Sequence, residues 1–404
     1  MKAKTSVLKF GGSSLASADH IRRVAEQVAG YRRRGDDVLV VASAMGSTTG
    51  KLLSLVGEIT DDPPLRELDK VLSTGEYVST ALLCMELQRI GVDSVSFSGA
   101  DCGIRTNNRH FNAAVESIDT RRIREQFAAG RVVVAAGFQG KGRHGEVTTL
   151  GLGGSDITAV VLAGALNAAR CEICSDVDGV YSADPRVVED ARRIDEISYA
   201  EMAELSRHGA SVLNARAVEQ ARLRRVEVYS RSTFEPDSPG TWIRDFSTDS
   251  LRIVGVASHD ALLPLSFDDD QLPARRAVEQ VLCDLDSDSI FADHKDSKTG
   301  RRSILIPADR LPDASSFASE LKSRHGGHLG IESVCSSVSA IGLGVGGAEH
   351  VRNTLRSCSR KAEVVLRHDF AGEHSVTCVV QPDHASKLMN AFHREFDCPA
   401  QEAA

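Results

Sequence analysis

Residues Gly137 to Asp156, GFQGKGRHGEVTTLGLGGSD, restrict the fold more than any other stretch of this chain. They begin where the apolar run Val132–Ala136 stops and end by opening a helix from Ile157 to about Leu166. A short run of β-branched and small residues closed by glycine reads as a buried parallel strand. The stretch holds seven glycines, two threonines and a Ser-Asp pair at the helix start. Glycines let a backbone approach a ligand and expose amides that can form an anion-binding concavity. A helix start adds free N–H groups and the positive end of its dipole. The chemistry implied is phosphate handling, with Asp156 placed to hold a cation or an amine. Taken alone, the stretch also reads as a glycine-rich turn with Ser155 or Asp156 as the N-cap.

Strand, glycine loop and helix recur along the first 234 residues. TSVLKF, residues 5–10, reads as a strand and is followed by Gly11-Gly12-Ser13-Ser14. Ile21, Val24, Ala25 and Val28 then fall at helical spacing. Lys9 therefore sits at the carboxyl end of a strand, where open α/β sheets bind ligands and a lysine can neutralise a phosphoryl group. Neither a P-loop nor a dinucleotide fingerprint is present. Val38–Ala42 and Val92–Phe97 read as further strands, and a helix is expected from about Asp69 to Leu87. Gly75 inside that helix costs ~1 kcal/mol against alanine, which implies close packing or ligand approach beside Glu76. After the central loop come a strand at Arg170–Cys174, helices at Glu201–Ser206 and Val212–Gln220, and a strand at Val226–Tyr229. The alternation predicts a mainly parallel sheet sandwiched by helices.

Composition changes at Glu235–Gly240, EPDSPG, the expected domain boundary. Beyond it the elements are short and strand-rich. Arg252–Ala257, Leu262–Phe267, Ser303–Pro307, Ser337–Val345, Glu363–Arg367 and Ser375–Val380 read as strands. Helices are expected near Ala274–Cys283, Ser315–Lys322, Glu349–Ser357 and His384–Phe396, and Asp284–Gly300 as an exposed loop. Two βαββαβ-like α+β units fit this pattern. The net charge of −8 argues against nucleic acid as a partner. No apolar segment reaches ~18 residues and no signal-peptide pattern opens the chain, so a cytoplasmic, non-membrane protein is expected. The nine scattered cysteines fit reduced thiols. Cys171 and Cys174 fall in a strand, where i and i+3 point to opposite faces, so no metal pair is expected there.

Six segments in order resemble aspartate kinases of the amino-acid kinase superfamily: VLKFGGSSL, VVASAMGSTTG, LSTGEYVSTALL, SGADCGIRTN, GFQG…GEVTTLGLGGSD and SDVDGVYSADPRV. The resemblance covers nearly the whole chain and implies a catalytic unit at residues 1–240. It implies two regulatory ACT-like modules at 250–333 and 334–400, pairing into a homodimer or larger homo-oligomer. The implied reaction is transfer of the ATP γ-phosphoryl group to the β-carboxylate of aspartate, with Mg²⁺ carried on the phosphates and no dedicated protein metal site. Lys9 and Asp156 would be catalytic. Lys9, Gly11, Gly12, Ser13, Ser175, Asp176, Tyr181 and Arg186 would bind nucleotide. Thr49, Glu76, Gly154, Ser155 and Asp156 would bind the amino acid.

Three positions depart from the family pattern. Leu152 stands where LGRGGSD carries an arginine that grips a substrate carboxylate, Ser211 replaces a phosphate-contacting lysine, and Ser47 replaces a more variable lysine. Losing a bidentate arginine removes about 2–4 kcal/mol of charge-assisted binding, which Arg105, Arg143 or Arg216 could restore. A different acceptor, or a weakly active regulatory partner, are the competing functions. The modules differ as well. Asp284–Asp296 lies where an apolar strand would flank an effector, and Glu363–Asp369 replaces a hydroxyl-rich strand end.

Overall fold

A computed structural model describes residues 4–151, 153–210, 212–246, 252–268, 292–295, 301–308, 314–325 and 329–396. Leu152, Ser211 and the expected helix at Ala274–Cys283 lie outside the described residues. The N-terminal part runs β1 (Thr5–Phe10), α1 (Ala18–Arg33), β2 (Asp37–Ala42), α2 (Thr48–Gly57), α3 (Leu65–Arg89) and β3 (Ser94–Phe97). It continues with β4 (Ile104–Thr106), β5 (Val115–Ile118), α4 (Arg121–Ala128), β6 (Val132–Ala136), β7 (Gln139–Lys141), β8 (Val147–Thr149) and α5 (Gly154–Leu166). Then come β9 (Arg170–Ser175), β10 (Val180–Tyr181), β11 (Arg193–Ile194), β12 (Glu196–Ile197), α6 (Tyr199–Arg207), α7 (Ala215–Arg224), β13 (Val228–Ser232) and β14 (Thr241–Ile243).

The main sheet has the order β12-β14-β13-β9-β1-β2-β6-β3 and is parallel except for the β13–β14 pair. Side-chain alternation builds a core on each face. Val7, Leu39, Val41, Val133 and Ile173 face α5 and α7, whereas Leu8, Val38, Val40, Val134 and Cys174 face α1 and α3. Cys171 and Cys174 fall in opposite cores, as strand geometry requires. Burial pushes both thiols up, that of Cys174 to about 12. With β1 flanked by β2 and β9, the carboxyl ends of β1, β2, β6 and β9 open on one edge, where ligands bind in such sheets. The central glycine stretch is more ordered than its composition implies, since β7 and β8 form a hairpin within it.

The C-terminal part contributes β15 (Gly255–Asp268), β16 (Ala292–Lys295), β17 (Arg301–Pro307), α8 (Ala314–His325), β18 (Leu329–Ile331), β19 (Cys335–Ile341), α9 (Glu349–Lys361), β20 (His368–Ala371), β21 (Ser375–Val380) and α10 (Ala385–Phe396). Here the strands form one antiparallel sheet, β16-β17-β15-β19-β21-β20, with β18 also on β15. Three expectations are corrected. The strands expected at Arg252–Ala257 and Leu262–Phe267 merge into a single strand, β15, which starts only at Gly255 and bulges between His259 and Leu262. Residues 292–295, expected in a loop, pair with β17. Glu363–Arg367 is not a strand: Glu363 turns with φ 53°, Val365 is exposed, and the strand begins at His368.

The two parts interlock. Val254, Ala257 and Ile341 join the apolar core beneath the main parallel sheet. Ser375 Oγ donates to Glu204 of α6 at 2.8 Å, and Ser339 Oγ lies 2.8 Å from His208 Nδ1. No helix among the described residues is long and apolar enough to cross a membrane.

Candidate active site

Lys9 leaves the end of β1 and its Nζ meets Asp156 Oδ1 at 2.8 Å, with side chains only 13% and 10% exposed. Asp156 lies in the first turn of α5, where the helix dipole favours a negative charge. Its Oδ2 accepts the backbone N–H of Asn214, the N-cap of α7, at 3.4 Å. Gly153 makes this approach possible: it has φ 70°, and a Cβ there would stand 2.4 Å from Asn214 Cβ. Lys9 and Asp156 lie on separate segments of the sequence, and the fold joins them.

Glu76 sits beside the same loops. The Gly46 N–H donates to the Gly12 carbonyl at 2.9 Å, pressing the second loop against the first. On that second loop, the Ala44 N–H donates to Glu76 Oε1 at 3.2 Å. Glu76 Oε2 is buried without a hydrogen-bond partner among the described residues. Burial pushes the carboxyl up to about 7, against the pull of the Ala44 amide. Gly75 explains how α3 comes so close, because a Cβ there would stand 2.7 Å from Ala44 Cβ. Ser79, one turn on, donates to the Ser43 carbonyl at 2.7 Å. Thr49 is half-buried in the first turn of α2, after Thr48, whose hydroxyl donates to the Met45 carbonyl at 2.6 Å.

On the other side, Ser13 Oγ donates to Asp176 Oδ1 at 3.1 Å, linking the first loop to the end of β9. Ser175 Oγ bonds the backbone of Val177, and Tyr181 Oη donates to Asp178 at 2.9 Å. Arg186 is exposed and folded onto Asp184 at 2.7 Å. In the loop expected to bind nucleotide, the Gly11 amide is already used, donating to the Cys174 carbonyl at 3.2 Å because the β1–β9 ladder continues through it. Ser155 and Gly154 form the start of α5, packed against Gly137 and Phe138.

Several supporting residues escaped the sequence reading. Asp69, fully buried on α3 two turns before Glu76, accepts from His110 Nδ1 at 2.6 Å, the Phe111 N–H at 3.0 Å and the Thr149 hydroxyl. It pins the segment that carries Asn112 against the glycine loop. The heptad spacing from Glu76 is the signal that could have found it. Phe138, with φ 69°, stands where β6 gives way to β7, its N–H held by Thr158 Oγ1 at 3.1 Å. Beneath the first loop, buried Glu172 accepts from Arg231 and Tyr31 at 2.7 and 2.6 Å. Burial alone would raise the Glu172 pKa, but Arg231 and Tyr31 outweigh it and hold the carboxyl below its ordinary range.

The sequence pattern of the Amino acid kinase family matches residues 4–230. An aspartokinase of Mycolicibacterium smegmatis is 35% identical over 98% of this chain and 97% of its own length. The chain belongs to the aspartokinases of this family. An aspartokinase of Geobacillus stearothermophilus is 37% identical over 98% of both chains. The E. coli aspartokinase III structure in complex with aspartate and ADP has a TM-score of 0.79, covering 98% of this chain and 100% of that one at 24% identity. That likeness is one of fold. It places this aspartokinase's mixed α/β architecture, a mostly parallel sheet followed by antiparallel sheet, among known relatives.

Proposed function

We propose that this aspartokinase transfers the γ-phosphoryl group of ATP to the β-carboxylate of L-aspartate, a first step toward aspartate-derived amino acids. A carboxylate oxygen attacks the γ-phosphorus, the bond to the β,γ-bridging oxygen breaks, and ADP leaves as the acyl phosphate forms. Such a transfer needs alignment and charge neutralisation and little covalent help from the protein. Lys9 neutralises the transferring group, and Asp156 holds the lysine in place at 2.8 Å. Ser13, Ser175, Asp176, Tyr181 and Arg186 bind the nucleotide, with Gly11 and Gly12 shaping the loop beneath it. Mg²⁺ bound to the ATP phosphates would add charge neutralisation to that of Lys9.

Glu76 carries the reading of the acceptor. A buried carboxylate oxygen with no partner is costly unless a cation or donor joins it. The ammonium group of an amino acid supplies both, with Thr49, Gly154, Ser155 and Asp156 lining the rest. E. coli aspartokinase III has been solved with aspartate and ADP, which supports the same pair of ligands here. We assign residues 1–240 to catalysis and 250–333 and 334–400 to two ACT-like modules that join copies of the chain, a soluble cytoplasmic enzyme. Trapping the acyl phosphate with hydroxylamine across a panel of amino acids tests the assignment. Aspartate is expected to give the hydroxamate. Product from another acceptor alone, or from none, would overturn it.

A further inference from the structure

An aspartate acceptor brings a second carboxylate into a site that already holds Glu76 and Asp156. Its β-carboxylate must face the nucleotide, so its α-carboxylate needs a cation of its own. Lys9 is engaged by Asp156, and position 152 carries leucine. Of the three arginines that could restore the charge, two are directed elsewhere. Arg143 is 66% exposed and paired with Glu116. Arg105 is an exposed residue of β4, with its charge felt at Asp119.

Arg216 is held differently. It enters from the first turn of α7, where its N–H is bound by the Asn214 side chain at 2.9 Å. Asn214 is also the residue whose backbone N–H reaches Asp156. The Arg216 Nη1 donates to the Leu150 carbonyl at 3.0 Å and to Asn112 Oδ1. These two acceptors fix the plane of the guanidinium against the glycine loop. Gly151, with φ 77°, lies directly beneath, and a Cβ there would stand 3.4 Å from Nη1. The cation thus rests on the residue that precedes position 152, at the foot of the helix that carries Asp156. A planar, prepositioned guanidinium is the group best matched to a carboxylate.

We propose that Arg216 is the specificity-determining residue that reads the α-carboxylate of the acceptor, in place of an arginine at position 152. Asn112 and the Leu150 carbonyl serve as its positioning partners. The inference rests on the aspartate reading above, and it explains how that reading survives a leucine at 152.

The test compares L-aspartate with its α-amide, which keeps the β-carboxylate but replaces the α-carboxylate with a neutral group. The α-amide is followed as an acceptor and as a competitive inhibitor against aspartate. Wild type is expected to prefer aspartate strongly. In Arg216→Met the KM for aspartate should rise about 30-fold or more, the size of loss typical when one partner of a buried charge pair is removed. The KM for ATP and the affinity for the α-amide should stay within about threefold, so that the preference collapses. Arg216→Lys should fall between, and adding Leu152→Arg to Arg216→Met should restore the preference. Parallel loss toward both ligands, or an undiminished preference for aspartate, would overturn the inference and leave the aspartate reading standing. A wild type that does not use aspartate would overturn both.

Discussion

Replacing Glu76 with glutamine separates what the residue does for binding from what it costs the fold. The residue is 3% exposed, and burial moves its pKa from 4.5 to about 7. Between those values the folded chain holds a proton that the unfolded chain has released, so stability falls as pH rises through this window. Glutamine is always neutral and does not share that loss. A raise of this size makes Glu76→Gln more stable than wild type by about 1 kcal/mol at pH 5 and about 3 kcal/mol at pH 8. The unpartnered amide N–H of glutamine replaces the unpartnered O–H of the protonated acid, so that penalty largely cancels. Denaturant unfolding of the full chain at the two pH values reads the difference, and aspartate turnover of the same variant should fall by about 100-fold. A gain that is absent at pH 8, or equal at both pH values, would refute the reasoning about burial. A stabilised variant with normal turnover would instead remove Glu76 from the acceptor site.

Lys9→Ala is expected to lower transfer by about 1,000-fold or more while the far-ultraviolet circular dichroism stays native; near-normal turnover would displace the proposed site. Light scattering at micromolar concentration should show a dimer or larger species, since antiparallel modules with open edges bury them by pairing, and a monomer would count against it. Titration calorimetry with lysine and threonine should show weak or no binding. In the sequence, the acidic loop Asp284–Asp296 repels an effector's carboxylate, and Glu363–Asp369 lacks the hydroxyls that suit a zwitterion. Arg352 and Arg356 in fact neutralise Asp369 and hold its carboxyl low against the effect of burial. The expectation now rests on that ion pair occupying the strand end, and micromolar binding coupled to lost activity would overturn it.

The elements legible in the sequence were those whose own residues decide them. β6 occurs at the expected residues because an uninterrupted run of valine and alanine has few alternatives between two helical layers, and β1 because the mostly apolar TSVLKF is stopped by two glycines. Gly75 signalled close packing because glycine is poorly tolerated inside a helix without a reason. The β7–β8 hairpin was hidden, since three-residue strands carry no period and depend on the sheet they join. Asp69 looked like one more charge in RELDK, and only the fold turns it inward onto His110 and Thr149. The misread strand at Glu363–Arg367 shows the opposite error, where Val364, Val365 and Leu366 suggested a strand but the turn after α9 took them. Which arginine meets the glycine loop was likewise undecidable along the chain, because Arg216 lies more than 60 residues from Leu150, its backbone partner.

The joint between α6 and the C-terminal sheet limits how this enzyme could be rebuilt from pieces. The composition of Glu235–Gly240 invites a cut, yet that segment joins β13 to β14 within the main sheet, and the surfaces that need each other lie elsewhere. Gly209 follows α6 so closely on β15 that a Cβ would stand 1.9 Å from the Ser258 carbonyl. Glu204 and His208 are bound to β21 and β19, and Ser182 both accepts the Val256 N–H at 2.7 Å and meets His393 of α10. A chimera that exchanged the C-terminal half with that of a relative would carry its seam through these contacts. The compatible unit of exchange is therefore the sheet together with its seat on residues 182 and 204–209, although that seat belongs, by position in the chain, to the kinase.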